Sequence, residues 1–146
     1  MKSISSLVAG VAFLVLTAGA AQAQYLGNYS ANPYAPNSTS NPYGTQSRNA
    51  PKSINNPNGR YGSSNSNESA NNPSATKPPK LYDQNGTYRG QLSTNPYAPD
   101  STSNPNGRYG SKYSPDSINN PNGAGSKYNP NSPKNPYGNG VGIYGQ

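Results

Sequence analysis

The sequence predicts a mostly irregular, turn-rich tandem repeat with a period of 15–16 residues, largely disordered or loosely solenoidal and without a conventional globular core. The first observation is a nine-residue phrase, Pro-x-Ser-x-x-Asn-Pro-(Tyr/Asn)-Gly, which recurs through most of the chain. Its copies, one of them decayed, start 15, 16, 32, 16 and 15 residues apart, at Pro36, Pro51, Asn67, Pro99, Pro115 and Pro130. They form two groups of three related by a shift of 63 or 64 residues, which indicates a tandem duplication.

The second observation is the scarcity of apolar side chains after residue 23. There are thirteen Tyr, no Trp and only these aliphatic residues larger than Ala: Leu26, Ile54, Leu81, Leu92, Ile118, Val141 and Ile143. Burying them would offset only part of the conformational entropy lost on ordering about 120 residues. Small exported domains in this position usually add disulfides, but the chain has no Cys. Together with the high content of Asn, Ser, Pro and Gly, this predicts a chain without a packed core.

The repeat itself contains two local signals. Ser114-Pro115-Asp116 places an N-cap hydroxyl, a Pro and an acid in the order of a helix start, which predicts a short helical or 3₁₀ turn. Pro121 disfavours helical geometry at the residue before it, and Asn120-Pro121-Asn122-Gly123 predicts a β-turn. Each repeat is therefore expected to be a short helical turn followed by a β-turn.

Five segments are predicted along the chain. Residues 1–23 are a signal peptide, 24–75 a first repeat block, 76–92 a Pro-rich spacer with a β-hairpin near 80–92, 93–138 a second block and 139–146 a Gly-rich tail. The hairpin prediction depends on Asn85-Gly86, which favours a two-residue turn. Such a turn would place Tyr82 opposite Arg89 and Asp83 opposite Tyr88.

The signal-peptide prediction follows from three features of the first residues. Lys2 gives a positive start, Leu7 to Ala18 is an apolar run too short to span a membrane, and Ala21-Gln22-Ala23 is a small-residue cleavage site. The alternative is a membrane anchor. Cleavage near Ala23 predicts an exported protein, periplasmic or secreted, with no stable membrane span afterwards.

A family resemblance is carried by Lys80-Leu81-Tyr82-Asp83, by Gly107-Arg108-Tyr109-Gly110 and by the phrase from Ser114 to Pro121. These motifs resemble a family of small, often exported bacterial proteins built from Ser-Pro-Asp-Ser-Ile-Asn-Asn-Pro-Tyr-Gly repeats. This chain has Asn58, Asn106 and Asn122 where that pattern usually has Tyr. The resemblance implies an exported repeat protein, and it supplies no catalytic or binding residue.

Enzyme chemistry is not expected. The chain has no His and no Cys, which removes the commonest general bases, nucleophiles and metal ligands. We therefore predict no catalytic residue, no cofactor and no metal site. Calcium is the alternative considered for Asp100 and Asp116, but the repeat that has Lys52 in the same position would repel the ion, so an acid in a first helical turn explains them better.

The net charge points to an anionic partner. After cleavage, ten Lys or Arg against four Asp or Glu leave a net charge of +6. Tyr can stack on sugar or base rings while an adjacent cation attracts anionic groups, and the candidate polymer contacts are Arg60, Tyr61, Arg108, Tyr109, Lys112, Tyr113, Lys127 and Tyr128.

The function expected from these observations is that of an exported, non-enzymatic repeat protein with a structural or interaction role in the bacterial envelope or extracellular matrix. The alternative is a cationic Tyr-rich binding module for an anionic polymer, namely acidic polysaccharide, lipid headgroups or nucleic acid. Nucleic acid is the weakest of the three, because no binding fold or dense basic run accompanies the pairs. Self-association is a further possible interaction. The alternative to polymer contact is that each Tyr only packs on a neighbouring Pro.

Overall fold

Four strands form one antiparallel sheet in the computed structural model, which describes residues 23–146. The strands are β1 (Gln24–Tyr29), β2 (Lys80–Tyr82), β3 (Tyr88–Gln91) and β4 (Val141–Gly145), and their order in the sheet is β1-β4-β2-β3. The predicted signal peptide lies outside the described residues apart from Ala23. No helix within residues 23–146 is long and apolar enough to cross a membrane.

The predicted fold class is wrong. The chain is a compact sheet domain with no helix in its described part, and it is neither disordered nor loosely solenoidal. All seven aliphatic residues are buried, at 0% to 8% exposure, and they belong to one core, joined by Tyr61 and Ala70. The prediction is wrong because the number of apolar residues does not show where they lie. All seven aliphatic residues meet in one cluster at the sheet.

Hydrogen bonds from repeat side chains supply much of the stabilisation that the small core cannot provide. The Ser at the third position of the repeat has 0% exposure in all six copies, and its Oγ accepts the N–H two residues ahead: Ser38, Ser53, Ser69, Ser101, Ser117 and Ser132. The Asn at the sixth position accepts the N–H two residues ahead and donates Nδ2 to the carbonyl six residues back, as Asn120 does to Ser114. These side chains satisfy backbone groups that would otherwise be buried without partners.

The same hydrogen bonds explain why the predicted helical turns do not form. The Ser117 N–H donates to the Ser114 carbonyl and the Asn120 N–H donates to the Ser117 carbonyl, so successive turns share a residue every three positions. Ser117 Oγ takes the Asn119 N–H at 3.0 Å, a donor that a helix would direct to a backbone carbonyl. Consecutive β-turns therefore replace the helical turn.

The sheet has a two-fold pseudosymmetry that follows the sequence duplication. Leu81 pairs with Ile143 at its centre, with Lys80 opposite Tyr144 on one side and Tyr82 opposite Gly142 on the other. On the flanks, β1 pairs with β4 and β3 pairs with β2. Each half therefore donates its first strand to the last strand of the other half.

Both outer edges of the sheet are covered by the repeat that follows them. The Asn28 N–H donates to the Asn37 carbonyl at 2.7 Å, and the Gln91 N–H donates to the Asp100 carbonyl at 2.8 Å. Isolated bridges join Asn28 to Ser38 and Gln91 to Ser101. Covered edges cannot template pairing with another chain, which blunts edge-to-edge aggregation.

The hairpin between β2 and β3 departs from the predicted register beside its loop, where Tyr82 lies opposite Tyr88 and not opposite Arg89. Its loop is longer than a two-residue turn, because the Asp83 N–H donates to the Thr87 carbonyl and Gly86 adopts φ +81°. Asp83 Oδ1 accepts the N–H groups of Asn85 and Thr87 at 2.9 and 3.0 Å. This carboxylate stabilises a three-residue loop with a bulge, which shifts the pair nearest the loop, whereas Lys80 opposite Gln91 keeps the predicted register.

A candidate polymer-binding groove

The thirteen tyrosines differ widely in exposure. Six of them are 81% to 95% exposed: Tyr34, Tyr43, Tyr97, Tyr113, Tyr128 and Tyr137. In all six, the backbone N–H donates to an Asn Oδ1 or a Ser Oγ two residues earlier, so the side chain projects from the tip of a closed turn. The turns hold the backbone of these rings in place while leaving the rings in solvent.

Three exposed tyrosines occupy one position of consecutive repeats in the second block. Tyr97, Tyr113 and Tyr128 each lie two residues before a repeat start, at Pro99, Pro115 and Pro130. The corresponding residues of the first block are Tyr34, Asn49 and Asn65. The second block therefore displays a tyrosine at this corner in every repeat, whereas the first block does so once.

Cations precede two of these three tyrosines. Lys112 precedes Tyr113 and Lys127 precedes Tyr128, and the Lys127 ammonium lies 5.3 Å from the centroid of the Tyr128 ring. All four of these side chains are exposed, in agreement with the availability that a polymer contact requires.

The two Arg-Tyr pairs lie in a different environment. Tyr61 and Tyr109 are only 3% and 8% exposed, and the Tyr61 hydroxyl donates to Gln24 Oε1 at 3.2 Å. Arg60 lies 5.5 Å from the Tyr61 ring centroid and forms an ion pair with Glu68 at 2.7 Å. The tyrosine rings of these pairs are therefore not accessible for stacking on a polymer.

The second Arg-Tyr pair belongs to an ion network. Arg108 pairs with Asp116 at 2.7 Å, Asp116 pairs with Arg89 at 3.3 Å, and Arg89 pairs with the buried Asp83 at 3.1 Å. This network joins the repeat to the hairpin between β2 and β3. Arg108 thus serves the fold, although its side chain remains two-thirds exposed, at 67%.

Within the described residues, the carboxylates have salt-bridge or hydrogen-bond partners, whereas the lysines form no salt bridge. All four salt bridges within residues 23–146 use arginine, and Asp100 accepts a hydrogen bond from the Tyr88 hydroxyl. None of the lysines in that range takes part in a salt bridge: Lys52, Lys77, Lys80, Lys112, Lys127 and Lys134. Within residues 23–146, the positive charge without a carboxylate partner is therefore that of these lysines and of Arg48.

Three of these lysines line one groove. This lysine groove, of about 550 Å³, is bordered by Lys112, Lys127, Lys134 and Tyr128, with Ile118 and Pro121 as its apolar lining. The corresponding positions of the first block hold Arg48, Ser64 and Asn71, so that block keeps one cation of the three. Lys134 was missed by the sequence analysis; its signal was a Lys where the fifth repeat position has Asn or Ser in the other five copies.

The lysine groove continues into a second depression. This central cleft, of about 700 Å³, shares Lys112, Ile118 and Asn119 with the groove. It contains equivalent residues from both blocks, namely Ile54 with Ile118 and Asn55 with Asn119. The cleft therefore lies where the two blocks face each other, and no motif in the sequence indicates it.

The sheet carries a row of tyrosines on the face opposite the core. Adjacent ring centroids are 5.2 to 5.6 Å apart along the series Tyr25, Tyr144, Tyr82, Tyr88 and Tyr109. Burial, together with the negative charge of Asp100, raises the pKa of Tyr88 well above its ordinary value of 10.0. Burial also raises the pKa of Tyr25 and of Tyr29. The five rings of the series pack on one another and are expected to stabilise the sheet, whereas Tyr29 packs against the core.

The carboxylates considered for calcium have other partners. Asp116 is held by Arg89 and Arg108, and Asp100 by Tyr88. Residues 23–146 contain no cluster of three or more His, Cys, Asp or Glu side chains that could hold a metal ion.

No protein-family model matches this chain, and neither a curated protein sequence nor a solved structure shows significant similarity to it.

Proposed function

We propose that this protein is an exported, non-enzymatic component of the bacterial envelope or extracellular matrix that holds an anionic polymer in its lysine groove. The observation that carries the proposal is the convergence of Lys112, Lys127 and Lys134 on one groove, none of them in a salt bridge within residues 23–146. The sequence-level candidates Lys112, Tyr113, Lys127 and Tyr128 belong to this surface or border it.

Electrostatics favours this surface over others. The arginines neutralise the acids near the hairpin, whereas the second block presents three ammonium groups and no acid along the groove. Cations gathered along a groove attract a polyanion over a distance set by the ionic strength, and Tyr113 and Tyr128 add ring faces beside them. A purely structural role, in which the lysines only keep the protein soluble, is the competing proposal.

The test compares two triple variants with equal loss of charge. In the first, Lys112, Lys127 and Lys134 become Gln; in the second, Lys52, Lys77 and Lys80 become Gln. Binding of polygalacturonate and of inorganic polyphosphate is measured between roughly 50 and 200 mM salt, a range over which polyanion binding weakens strongly. We expect the groove variant to lose at least about tenfold in affinity, or ~1.4 kcal/mol, and the control to lose much less.

Two results would overturn the proposal. One is equal weakening by both triple variants, which would mean that net charge alone attracts the polymer. The other is the absence of binding to either polyanion at the lowest salt, which would leave the structural role as the better explanation.

A further inference from the structure

Three asparagines in the central cleft have their amide donors fully used. Asn55 Nδ2 donates to the carbonyls of Thr39 and Gln46, both at 2.9 Å, and Asn119 Nδ2 donates to those of Thr102 and Gly110 at 2.7 and 3.0 Å. Asn71 repeats the pattern with two carbonyls at 2.9 and 3.0 Å. Because both neighbours are carbonyl oxygens, the orientation of each amide is fixed: nitrogen towards the backbone, oxygen away from it.

The oxygens of these amides are what the residues can offer a ligand. Within residues 23–146, no hydrogen bond reaches Oδ1 of Asn55, Asn71 or Asn119. All three residues line the cleft and none is buried, so these oxygens are acceptors within reach of a molecule in it. These three amide oxygens favour ligands that carry donors, such as hydroxyl groups, and offer no donor to phosphate oxygens.

The remaining lining of the cleft combines apolar side chains with Lys112 and the hydroxyl groups of Ser93, Thr94, Thr102 and Ser103. Ile54, Ala70, Leu92 and Ile118 are buried members of the core, and the half-buried Tyr29 lies beside them. A sugar ring has a C–H face that packs on such side chains and a rim of hydroxyl groups that donate to acceptors. The volume of about 700 Å³ lies within the range typical of ligand sites, ~300–1,000 Å³.

The position of Lys112 connects the two depressions. It lines both the central cleft and the lysine groove, so a chain that leaves the cleft next meets Lys112, Lys127 and Lys134. A polymer with hydroxyl donors and carboxylates on the same units matches both surfaces at once. Inorganic polyphosphate has no hydroxyl donors along its chain and matches only the lysines.

We infer that the polymer is an acidic polysaccharide, with a sugar unit seated in the central cleft against the Asn55 and Asn119 amide oxygens and its neighbouring carboxylates on the lysine groove. This inference rests on the proposed function and narrows its partner to one chemical class. It assigns recognition to the junction of the two blocks, where Ile54 and Ile118 of the shared core line the cleft.

The test fills the cleft without touching the lysines. Thr94 lines the cleft, is exposed and makes no side-chain hydrogen bond within the described residues, so Thr94→Trp should occupy the space while leaving the fold intact. Thr94→Ala is the matched control, and the thermal unfolding midpoint of each variant checks that it folds. Affinities for polygalacturonate and for inorganic polyphosphate are measured with both variants.

We expect Thr94→Trp to weaken polygalacturonate binding by about tenfold or more while changing polyphosphate binding by less than about twofold. Polygalacturonate should also shift the NMR side-chain amide signals of Asn55 and Asn119 in the unmodified protein. Equal effects of Thr94→Trp on both polymers, or on neither, would overturn the inference while the proposed function stands. Failure of both polymers to bind the unmodified protein would instead remove the proposed function itself.

Discussion

Leu81 on β2 lies directly opposite Ile143 on β4, and both side chains are 0% exposed. This pair is the centre of the two-fold pseudosymmetry, where the strand that follows the first block meets the strand that follows the second. The core has only seven aliphatic side chains larger than Ala, so each contributes a large share of the apolar surface that is buried.

Truncation at this centre should be severe. We predict that Leu81→Ala lowers the free energy of unfolding by ~2–5 kcal/mol, because it removes buried apolar surface and leaves a cavity. Urea unfolding followed by circular dichroism measures it. Tyr137→Ala is the control, since Tyr137 is 90% exposed and its loss should change stability by no more than ~0.5 kcal/mol. Equal effects of the two changes would contradict the assignment of a single core.

Part of this fold could be predicted from the sequence. The 63-residue shift correctly identifies equivalent residues, since the bridges of Asn28 with Ser38 and of Gln91 with Ser101 differ by that shift. The pairing of β1 with β4 could not be predicted, because these strands lie at opposite ends of the described chain and neither has a hydrophobic pattern long enough to specify a partner. Without that pairing, the aliphatic residues read as scattered.

The candidate site was also predicted in part, and position within the repeat explains the division. Tyr61 and Tyr109 lie ten residues after the starts at Pro51 and Pro99, a position that is buried in Gln46 as well. Tyr113 and Tyr128 lie two residues before a start, where exposed turns occur. Adjacency of Arg or Lys to Tyr could not separate the two classes, because the same dipeptide occurs at positions that face opposite ways.

The buried serines of the repeat should contribute to stability through their hydrogen bonds to the backbone. Ser117 Oγ accepts the Asn119 N–H at 3.0 Å and donates to the Tyr109 carbonyl at 3.1 Å. Ser117→Ala leaves both backbone groups without a partner in a site of 0% exposure, so stability should fall by ~1–3 kcal/mol in urea unfolding. The exposed Ser64, which makes no side-chain hydrogen bond within the described residues, serves as control; Ser64→Ala should be close to neutral.

Two glycines of β3 and its hairpin distinguish backbone strain from lack of space. Gly90 has φ +95°, and a Cβ there would lie 2.6 Å from Tyr109 Cβ and 2.7 Å from the Asp100 carbonyl oxygen. Gly86 has φ +81° with nothing within 4 Å of the same atom. We predict that Gly86→Ala costs ~1–2 kcal/mol from strain alone, whereas Gly90→Ala adds ~1–3 kcal/mol from overpacking. Thermal and urea unfolding measure the loss of stability in each variant. Equal losses in Gly86→Ala and Gly90→Ala would contradict the prediction and show that β3 can move away from Tyr109.

The tyrosine row predicts a loss of stability at alkaline pH. The pKa of Tyr88 in the folded protein is raised above 10.0, first by burial and then by the negative charge of Asp100. The unfolded chain therefore releases this proton at lower pH than the folded chain does. The contribution of Tyr88 to the free energy of unfolding is fully present below about pH 10 and declines as the pH rises above it.

We expect Tyr88→Phe to make that decline shallower, since the ring stays packed while the ionisable hydroxyl is removed. Tyr25 and Tyr29, whose pKa values are also raised by burial, should keep part of the decline in place. The measurement is the thermal unfolding midpoint as a function of pH, with the exposed Tyr137→Phe as the control that should follow the unmodified protein. A decline unchanged in Tyr88→Phe would mean that the alkaline transition begins elsewhere, because a partly buried phenol beside a carboxylate must ionise at a cost if the row keeps its packing.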